Sequence, residues 1–259
     1  MGETIELVRK EHYAIVIFNR PEALNALSTQ MACDLVAVLA KLGEESDVRA
    51  VLLTGTGEKA FCVGADLKER RGMSKDDMSR QRTLFVKAFT AVATFPKPIV
   101  AAVNGFAMGG GFEFALCCDM IVTAKEAFFA LPEVGLGIIP GGGGTQNLPR
   151  IIGKSKAKEL IFTGRKISGE TAFAWGIANN VVPRAELPAV AEALLREISS
   201  NAPLALQQAK LAIELGAALD LRTGLALEAE AYNRCLYSQD RDEGLSAFNE
   251  KRRPQYQGR

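Results

Sequence analysis

Two glutamates, Glu113 and Glu133, stand twenty residues apart, each at a point where a glycine-rich or proline-containing break interrupts an apolar run. Glu113 follows the triple glycine 109–111, and Glu133 follows Pro132. A carboxylate beside a turn that enters a helix suits acid/base chemistry, because unpaired N–H groups at a helix start attract developing negative charge. Glycine also lets a ligand approach the backbone closely. This pattern predicts a site that offers a carboxylate and a backbone donor to one ligand.

Other motifs that could carry chemistry fail on their surroundings. Residues 55–60 fit a loose dinucleotide fingerprint, but an apolar, glycine-broken stretch follows them where a helix is needed, which favours a simple loop. Residues 153–155 resemble the end of a P-loop, but position 148 is leucine where that motif needs glycine. The single histidine, His12, gives a catalytic triad or a multi-histidine metal site almost nothing to build on. No metal site is predicted.

The composition is that of an ordinary soluble globular protein. With 259 residues, 48% of them hydrophobic and 24% charged, the chain can bury a large core in one domain. A formal net charge of +1 gives no overall attraction to nucleic acid or to an anionic membrane. Five cysteines without a Cys-x-x-Cys pair argue against a disulfide framework and a thiolate metal site. With no export signal at the N terminus and no apolar run of about 20 residues, we expect a cytoplasmic protein.

The elements that must position the two glutamates alternate between strand and helix. Short apolar runs at 14–18, 50–54, 98–103 and 120–124 predict buried strands. Ser28 is a plausible N-cap for a helix whose apolar residues fall on one face. This alternation predicts an α/β fold with largely parallel strands. From about residue 156 the pattern becomes mainly helical.

Three separated segments, 64–69, 105–113 and 132–146, together resemble the crotonase superfamily, and specifically its enoyl-CoA hydratases. The resemblance extends over nearly the whole chain, from 19–27 to 248–252. It implies a crotonase-type spiral of ββα units in residues 1–200, which would hold the acyl-CoA site, and a C-terminal helical region in residues 201–259 for trimerisation. The assembly expected from it is a homotrimer, or a homohexamer made as a dimer of trimers.

By the same resemblance, the backbone N–H groups of Ala65 and Gly110 form an oxyanion hole for the thioester carbonyl of an acyl-CoA. Glu113 and Glu133 occupy the two catalytic carboxylate positions. Glu113 would activate the water that attacks Cβ, and Glu133 would deliver a proton to Cα. The implied reaction is reversible syn addition of water to a trans-2-enoyl-CoA, giving a 3-hydroxyacyl-CoA in fatty-acid or branched-chain amino-acid breakdown. Coenzyme A is part of the substrate, and no separate cofactor is expected.

The resemblance also implies a set of substrate contacts. Asp66 is open to a structural role as well, since an acid beside the thioester would not help an enolate. Basic residues near the C terminus, here Lys251, would lie near the phosphates or adenine of a neighbouring subunit's ligand, although basic clusters such as 68–71 are also typical of plain surface. The expected substrate-binding residues are Gly64, Asp66, Leu67, Lys68 and Gly141. Side chains that either line an acyl pocket or belong to the core are Phe85, Phe89, Phe112, Leu136 and Ile138.

Three alternatives stay open. Enoyl-CoA isomerases use the same oxyanion hole, generally with one carboxylate, so two glutamates favour the hydratase. A closer likeness, carried by 62–70, 138–146 and 240–245, is to the AU-binding, methylglutaconyl-CoA hydratase-like branch. That branch raises RNA binding through a lysine-rich helix, but the matching stretch 28–48 contains one lysine, Lys41, and four acidic residues. RNA binding is therefore not expected. Among substrates, a short straight-chain enoyl-CoA is favoured, because the sequence alone assigns no cation to a carboxylated acyl group.

Overall fold

The computed structural model describes residues 4–259, and its largest sheet has six strands in the order β1-β2-β3-β5-β7-β10. Strand β1 pairs antiparallel with β2, and the remaining neighbours are parallel. The four strands predicted from sequence are β2, β3, β5 and β7, so the expected parallel α/β core is confirmed. The strands are β1 Ile5–Arg9, β2 Tyr13–Phe18, β3 Ala50–Gly55, β5 Ile99–Val103, β7 Met120–Ala124 and β10 Asn180–Val182.

A second, four-stranded sheet has the order β4-β6-β8-β9. Its strands are β4 Ala60–Cys62, β6 Phe106–Met108, β8 Phe128–Ala130 and β9 Ile167–Ser168. Three successive strand pairs, β3/β4, β5/β6 and β7/β8, each place their first strand in the large sheet and their second in the small one. Helical segments follow each pair. This repeat is the expected spiral of ββα units.

The described residues also form ten α-helices, and the first has the N-cap and the apolar face predicted from the sequence. Ser28 caps it, since its hydroxyl accepts from the backbone N–H of Met31 at 3.1 Å. Its buried face includes Leu35, Leu39 and Leu42. The helices are α1 Thr29–Glu44, α2 Leu67–Arg70, α3 Lys75–Ala93, α4 Gly110–Cys117, α5 Gly144–Thr163, α6 Gly169–Ala174, α7 Leu187–Ser199, α8 Pro203–Gly216, α9 Leu221–Leu236 and α10 Gln239–Glu250.

The C-terminal region leaves large apolar side chains exposed. Residues 201–259 contain the helices α8, α9 and α10 and no strand, whereas the helical stretch expected from residue 156 is interrupted by β9 and β10. The exposed apolar side chains of α8, α9 and α10 include Ile213, Leu221 and Phe248. Within residues 4–259, no helix is both long and apolar enough to cross a membrane.

Candidate active site

A cavity of about 800 Å³ opens between helices α2, α3 and α4 and the segments that follow β4, β6 and β8. Its walls are mainly apolar, with Phe85 and Phe89 from α3 and Leu136 and Ile138 from the segment after β8. Phe112 is the exception among the expected acyl-pocket side chains, because it is fully buried in the core and packs against Phe129. Seven of the nine expected site residues line this cavity: Gly64, Ala65, Leu67, Gly110, Glu113, Glu133 and Gly141.

The carboxylate of Glu113 is held by backbone amides. Glu113 lies in the first turn of α4 and is only 3% exposed. Its Oε1 accepts from the N–H of Gly142 at 2.6 Å and from that of Gly144 at 2.8 Å. Burial raises the pKa of Glu113 above its ordinary value, while these amides and the charge of Arg82 oppose the rise. The amide contacts favour the ionised form, which a general base requires.

Glu133 has a different environment in the same cavity. It begins a short 3₁₀ turn, Glu133–Leu136, and is 8% exposed. Its Oε2 is buried and receives no hydrogen bond from residues 4–259. Burial, followed by the negative charge of Glu113, raises the pKa of Glu133 to about 7. A carboxyl group that keeps its proton near neutrality can serve as a general acid.

Two residues with free backbone N–H groups, Ala65 and Gly110, line the same cavity as these carboxyl groups. Gly64 and Gly110 are in direct backbone contact, since an ideal Cβ built on Gly64 would lie 3.1 Å from the nitrogen of Gly110. The bridge between Leu27 and Ala65 uses the carbonyl of Gly64 and the N–H of Asp66 and does not use the N–H of Ala65. No acceptor within residues 4–259 takes the N–H of Ala65 or that of Gly110, which begins α4. Both donors are thus available to a ligand oxygen.

Asp66 and Lys68 do not line the cavity. The Asp66 carboxylate caps α2 by accepting from the N–H of Lys68 and of Glu69, and it pairs with Arg20 at 2.9 Å. This arrangement supports the structural role of Asp66, and its expected contact with substrate stays a prediction. Lys68 is exposed on α2, one residue beyond Leu67.

Two arginines in the cavity carry no sequence signal that marks them as functional. Arg82 stands on the polar face of α3, and its Nη2 donates to the carbonyl of Gly141 at 2.6 Å. Arg70, which sequence reasoning treated as part of a basic surface cluster, lies over the ring of Phe85 at 5.4 Å. Nε of Arg70 also donates to Oε1 of the buried Gln81 at 2.8 Å. Burial and the charge of Arg82 lower the pKa of Arg70.

Residues 4–259 contain no group of three or more His, Cys, Asp or Glu side chains that could hold an ion. The cavity brings together two carboxyl groups in different environments, two free amides and two cations.

Comparison with known proteins agrees with this geometry. The family described as enoyl-CoA hydratase/isomerase matches residues 9–259. The short-chain-enoyl-CoA hydratase of Clostridium acetobutylicum is 42% identical over 247 residues, covering 95% of each chain. The crotonyl-CoA hydratase of Syntrophomonas wolfei is 38% identical over 254 residues, covering 98% of each. The crystal structure of an enoyl-CoA hydratase from Bacillus anthracis superposes with a TM-score of 0.97 at 44% identity, covering 99% of this chain and 100% of that one.

Proposed function

The chain belongs to the enoyl-CoA hydratase/isomerase family, and we propose that it catalyses reversible syn addition of water to a short straight-chain trans-2-enoyl-CoA. The enzyme is a hydro-lyase, and its product is a 3-hydroxyacyl-CoA. One observation carries the proposal. Glu113 and Glu133 share a cavity, but amides hold the first carboxylate and burial keeps the second protonated to about pH 7.

The thioester oxygen of the substrate lies between the N–H groups of Ala65 and Gly110. When water adds at Cβ, negative charge moves onto this oxygen, and fixed amide dipoles stabilise the enolate-like state. Losing one such donor costs about 3 to 4 kcal/mol in other enzymes. The N-terminal end of α4 adds the positive end of its dipole at Gly110. The oxyanion hole is therefore made entirely of main-chain groups.

Proton transfers follow from the two carboxyl environments. Ionised Glu113 takes a proton from water as its oxygen bonds to Cβ, and protonated Glu133 gives its proton to Cα. The Gly141 backbone lies beside Glu113 and helps to hold the attacking water. One proton enters the pair as another leaves it, so the reaction consumes no net proton. The pair must therefore carry one proton at the start of either direction.

The proposal includes how coenzyme A is held and how subunits assemble. Gly64 and Leu67 line the path of the acyl-CoA, and Lys68 and Lys251 are cations for its phosphates, the latter from a neighbouring subunit. No separate cofactor takes part. The exposed apolar side chains of 201–259 support a homotrimer or a dimer of trimers, because such a surface is unfavourable in water. Sedimentation velocity tests this assembly, and a monomer at micromolar concentration contradicts it.

A second candidate substrate is favoured by Arg70. No hydrogen bond within residues 4–259 uses its Nη atoms, although Gln81 and Phe85 hold the side chain at the cavity wall. A half-buried guanidinium with free donors suits a carboxylate. This supports 3-methylglutaconyl-CoA as the alternative substrate. Isomerisation is not favoured, since both carboxyl groups of the hydratase pattern are in the cavity.

Five free thiols support a reducing compartment such as a bacterial cytoplasm. RNA binding stays outside the proposal, because α1 and its flanks are acidic around Lys41.

The direct test is loss of the conjugated enoyl absorbance with a panel that includes crotonyl-CoA and 3-methylglutaconyl-CoA. The wild type should hydrate at least one of them, and Glu113→Gln and Glu133→Gln should each lower kcat by about 10² to 10⁴. Circular dichroism should show both variants folded, since glutamine preserves side-chain size. An inactive wild type on the whole panel would refute the proposal, and full activity of either variant would remove that residue from the mechanism.

A further inference from the structure

A single peptide unit, the one between Gly141 and Gly142, lies between Arg82 and Glu113. Its carbonyl oxygen accepts from Nη2 of Arg82 at 2.6 Å. Its N–H donates to Oε1 of Glu113, also at 2.6 Å. The peptide is trans, so these two groups point in opposite directions. A cation therefore contacts one edge of the peptide while the candidate base contacts the other.

Nothing in the local sequence fixes this orientation by itself. Glycine on both sides lets the peptide plane rotate with little steric cost, and a rotated plane would turn the carbonyl oxygen of Gly141 toward Glu113. The hydrogen bond from the guanidinium of Arg82 to that oxygen opposes this rotation. The guanidinium packs closely against this residue, because an ideal Cβ on Gly141 would lie 3.0 Å from Nη2 of Arg82. On the next residue, an ideal Cβ would lie 2.6 Å from the ring of Phe89.

The contact also acts electrostatically. A positive charge on a carbonyl oxygen polarises its peptide and strengthens the N–H on the opposite edge as a donor. The charge of Arg82 lowers the pKa of Glu113, against the larger effect of burial. The negative charge of Glu113 raises the pKa values of two neighbouring groups, Glu133 and Cys117. The positive charge of Arg82 lowers the pKa of the other cavity cation, Arg70.

We infer that Arg82 is a positioning residue for the proposed hydration: it holds the Gly141–Gly142 peptide with its N–H facing Glu113 and so keeps Glu113 ready as the ionised base. The inference rests on the proposed function for its catalytic meaning. Its structural content, the control of one carboxylate by one arginine through one peptide, stands apart from turnover. Arg82 acts through the peptide and is not required to touch the substrate.

The test compares Arg82→Gln and Arg82→Lys with Arg80→Gln as the matched control. Arg80 lies on the same helix, is exposed, and pairs with Asp77 at 3.7 Å. In Arg82→Gln, kcat for crotonyl-CoA should fall about tenfold or more at neutral pH with little change in KM. The acid limb of its pH profile should move to higher pH, since Glu113 loses charge stabilisation. Arg82→Lys should recover part of the loss, and Arg80→Gln should match the wild type.

A second readout does not depend on turnover. In protein labelled with ¹³C at the glutamate carboxyl carbons, the Glu113 signal is identified by its loss in Glu113→Gln. It should titrate at higher pH in Arg82→Gln than in the wild type and Arg80→Gln. Superposed titrations would overturn the inference, and so would a loss expressed mainly in KM without a shift of the profile. If Arg82→Gln does not fold, the same titration in Arg82→Ala, which also removes the cation and the hydrogen bond, decides. If the wild type hydrates no enoyl-CoA, the proposed function fails while the titration still tests the positioning.

Discussion

Glu113 accepts two backbone N–H bonds at Oε1, whereas no group within residues 4–259 donates to Oε2 of Glu133, although both side chains are buried in one cavity. The negative charge of Glu113 also raises the pKa of Glu133. These differences favour the proton on Glu133 and the negative charge on Glu113. The proposed roles of base and acid thus rest on the environments of the side chains, because both side chains are carboxyl groups.

The first prediction concerns pH dependence. The value of kcat/KM for crotonyl-CoA should fall as pH rises through about 7, where the pair loses the proton held at Glu133. Because no net proton is consumed, dehydration of 3-hydroxybutyryl-CoA should show the same profile. Initial rates from pH 5 to 9 in both directions measure this. A hydration rate that stays level from pH 6 to 9 would contradict the role of Glu133 as proton donor.

The second prediction is that Glu133 costs stability at neutral and alkaline pH. The pKa of its carboxyl rises from 4.5 to about 7 on folding. Between these pH values the folded state binds more protons than the unfolded state. The stability that the protonated carboxyl contributes is therefore fully present below pH 4.5 and is lost as pH rises through 7. Glu133→Gln removes the titration. Its free energy of unfolding relative to the wild type should therefore increase from pH 5 to pH 8.

Urea unfolding at a fixed subunit concentration measures this difference, because assembly also contributes to stability. The matched control is Glu58→Gln, an exposed glutamate in the loop between β3 and β4. The control should differ from the wild type by the same amount at both pH values. An equal, pH-independent effect of Glu133→Gln would show that its carboxyl is not held protonated by the fold.

The third prediction concerns the backbone donors. Gly64 has φ +84, and a methyl group on it would lie 2.9 Å from the carbonyl oxygen of Met108 and 3.1 Å from the nitrogen of Gly110. Gly64→Ala should therefore displace the N–H of Gly110 and lower kcat by about 10² to 10³. Gly72→Ala is the control, because Gly72 has φ +88 and no atom within 4 Å of its ideal Cβ. If both variants lose activity equally, backbone strain and not the amide position is responsible.

Sequence reasoning found the elements whose signals are local. The cap at Ser28, the apolar face of α1 and the buried strands depend on nearby residues, and they match the structure. The small sheet was not predicted in detail, since its strands have two or three residues each and show no period. The sequence could not decide whether Phe112 lies in the core or in the acyl pocket, because both are lined by the same kinds of apolar side chain.

Arg82 could not be identified from the sequence because its significance depends on a partner 59 residues away. In the chain it is one of several charged residues in a polar helix, and nothing nearby indicates that its guanidinium reaches the loop after Glu133. The unequal proton affinities of the two glutamates were equally inaccessible. They depend on the amides of Gly142 and Gly144 and on the burial of Glu133, all of which are tertiary features.

The last prediction is that Arg70 selects for an acyl group that ends in a carboxylate. Gln81 and the ring of Phe85 fix this guanidinium at the cavity wall while its Nη atoms stay free within residues 4–259. Removing a charge-assisted hydrogen bond costs roughly 1.5 to 3 kcal/mol. Arg70→Gln should therefore lower kcat/KM for 3-methylglutaconyl-CoA by roughly tenfold to a hundredfold. The value for crotonyl-CoA, which has no carboxylate on its acyl group, should change much less.

Arg71→Gln is the matched control for Arg70→Gln, because Arg71 is the exposed neighbour outside this cavity. Equal losses on both substrates would show that Arg70 supports the cavity wall or the coenzyme A moiety, and would leave the straight-chain enoyl-CoA as the favoured substrate.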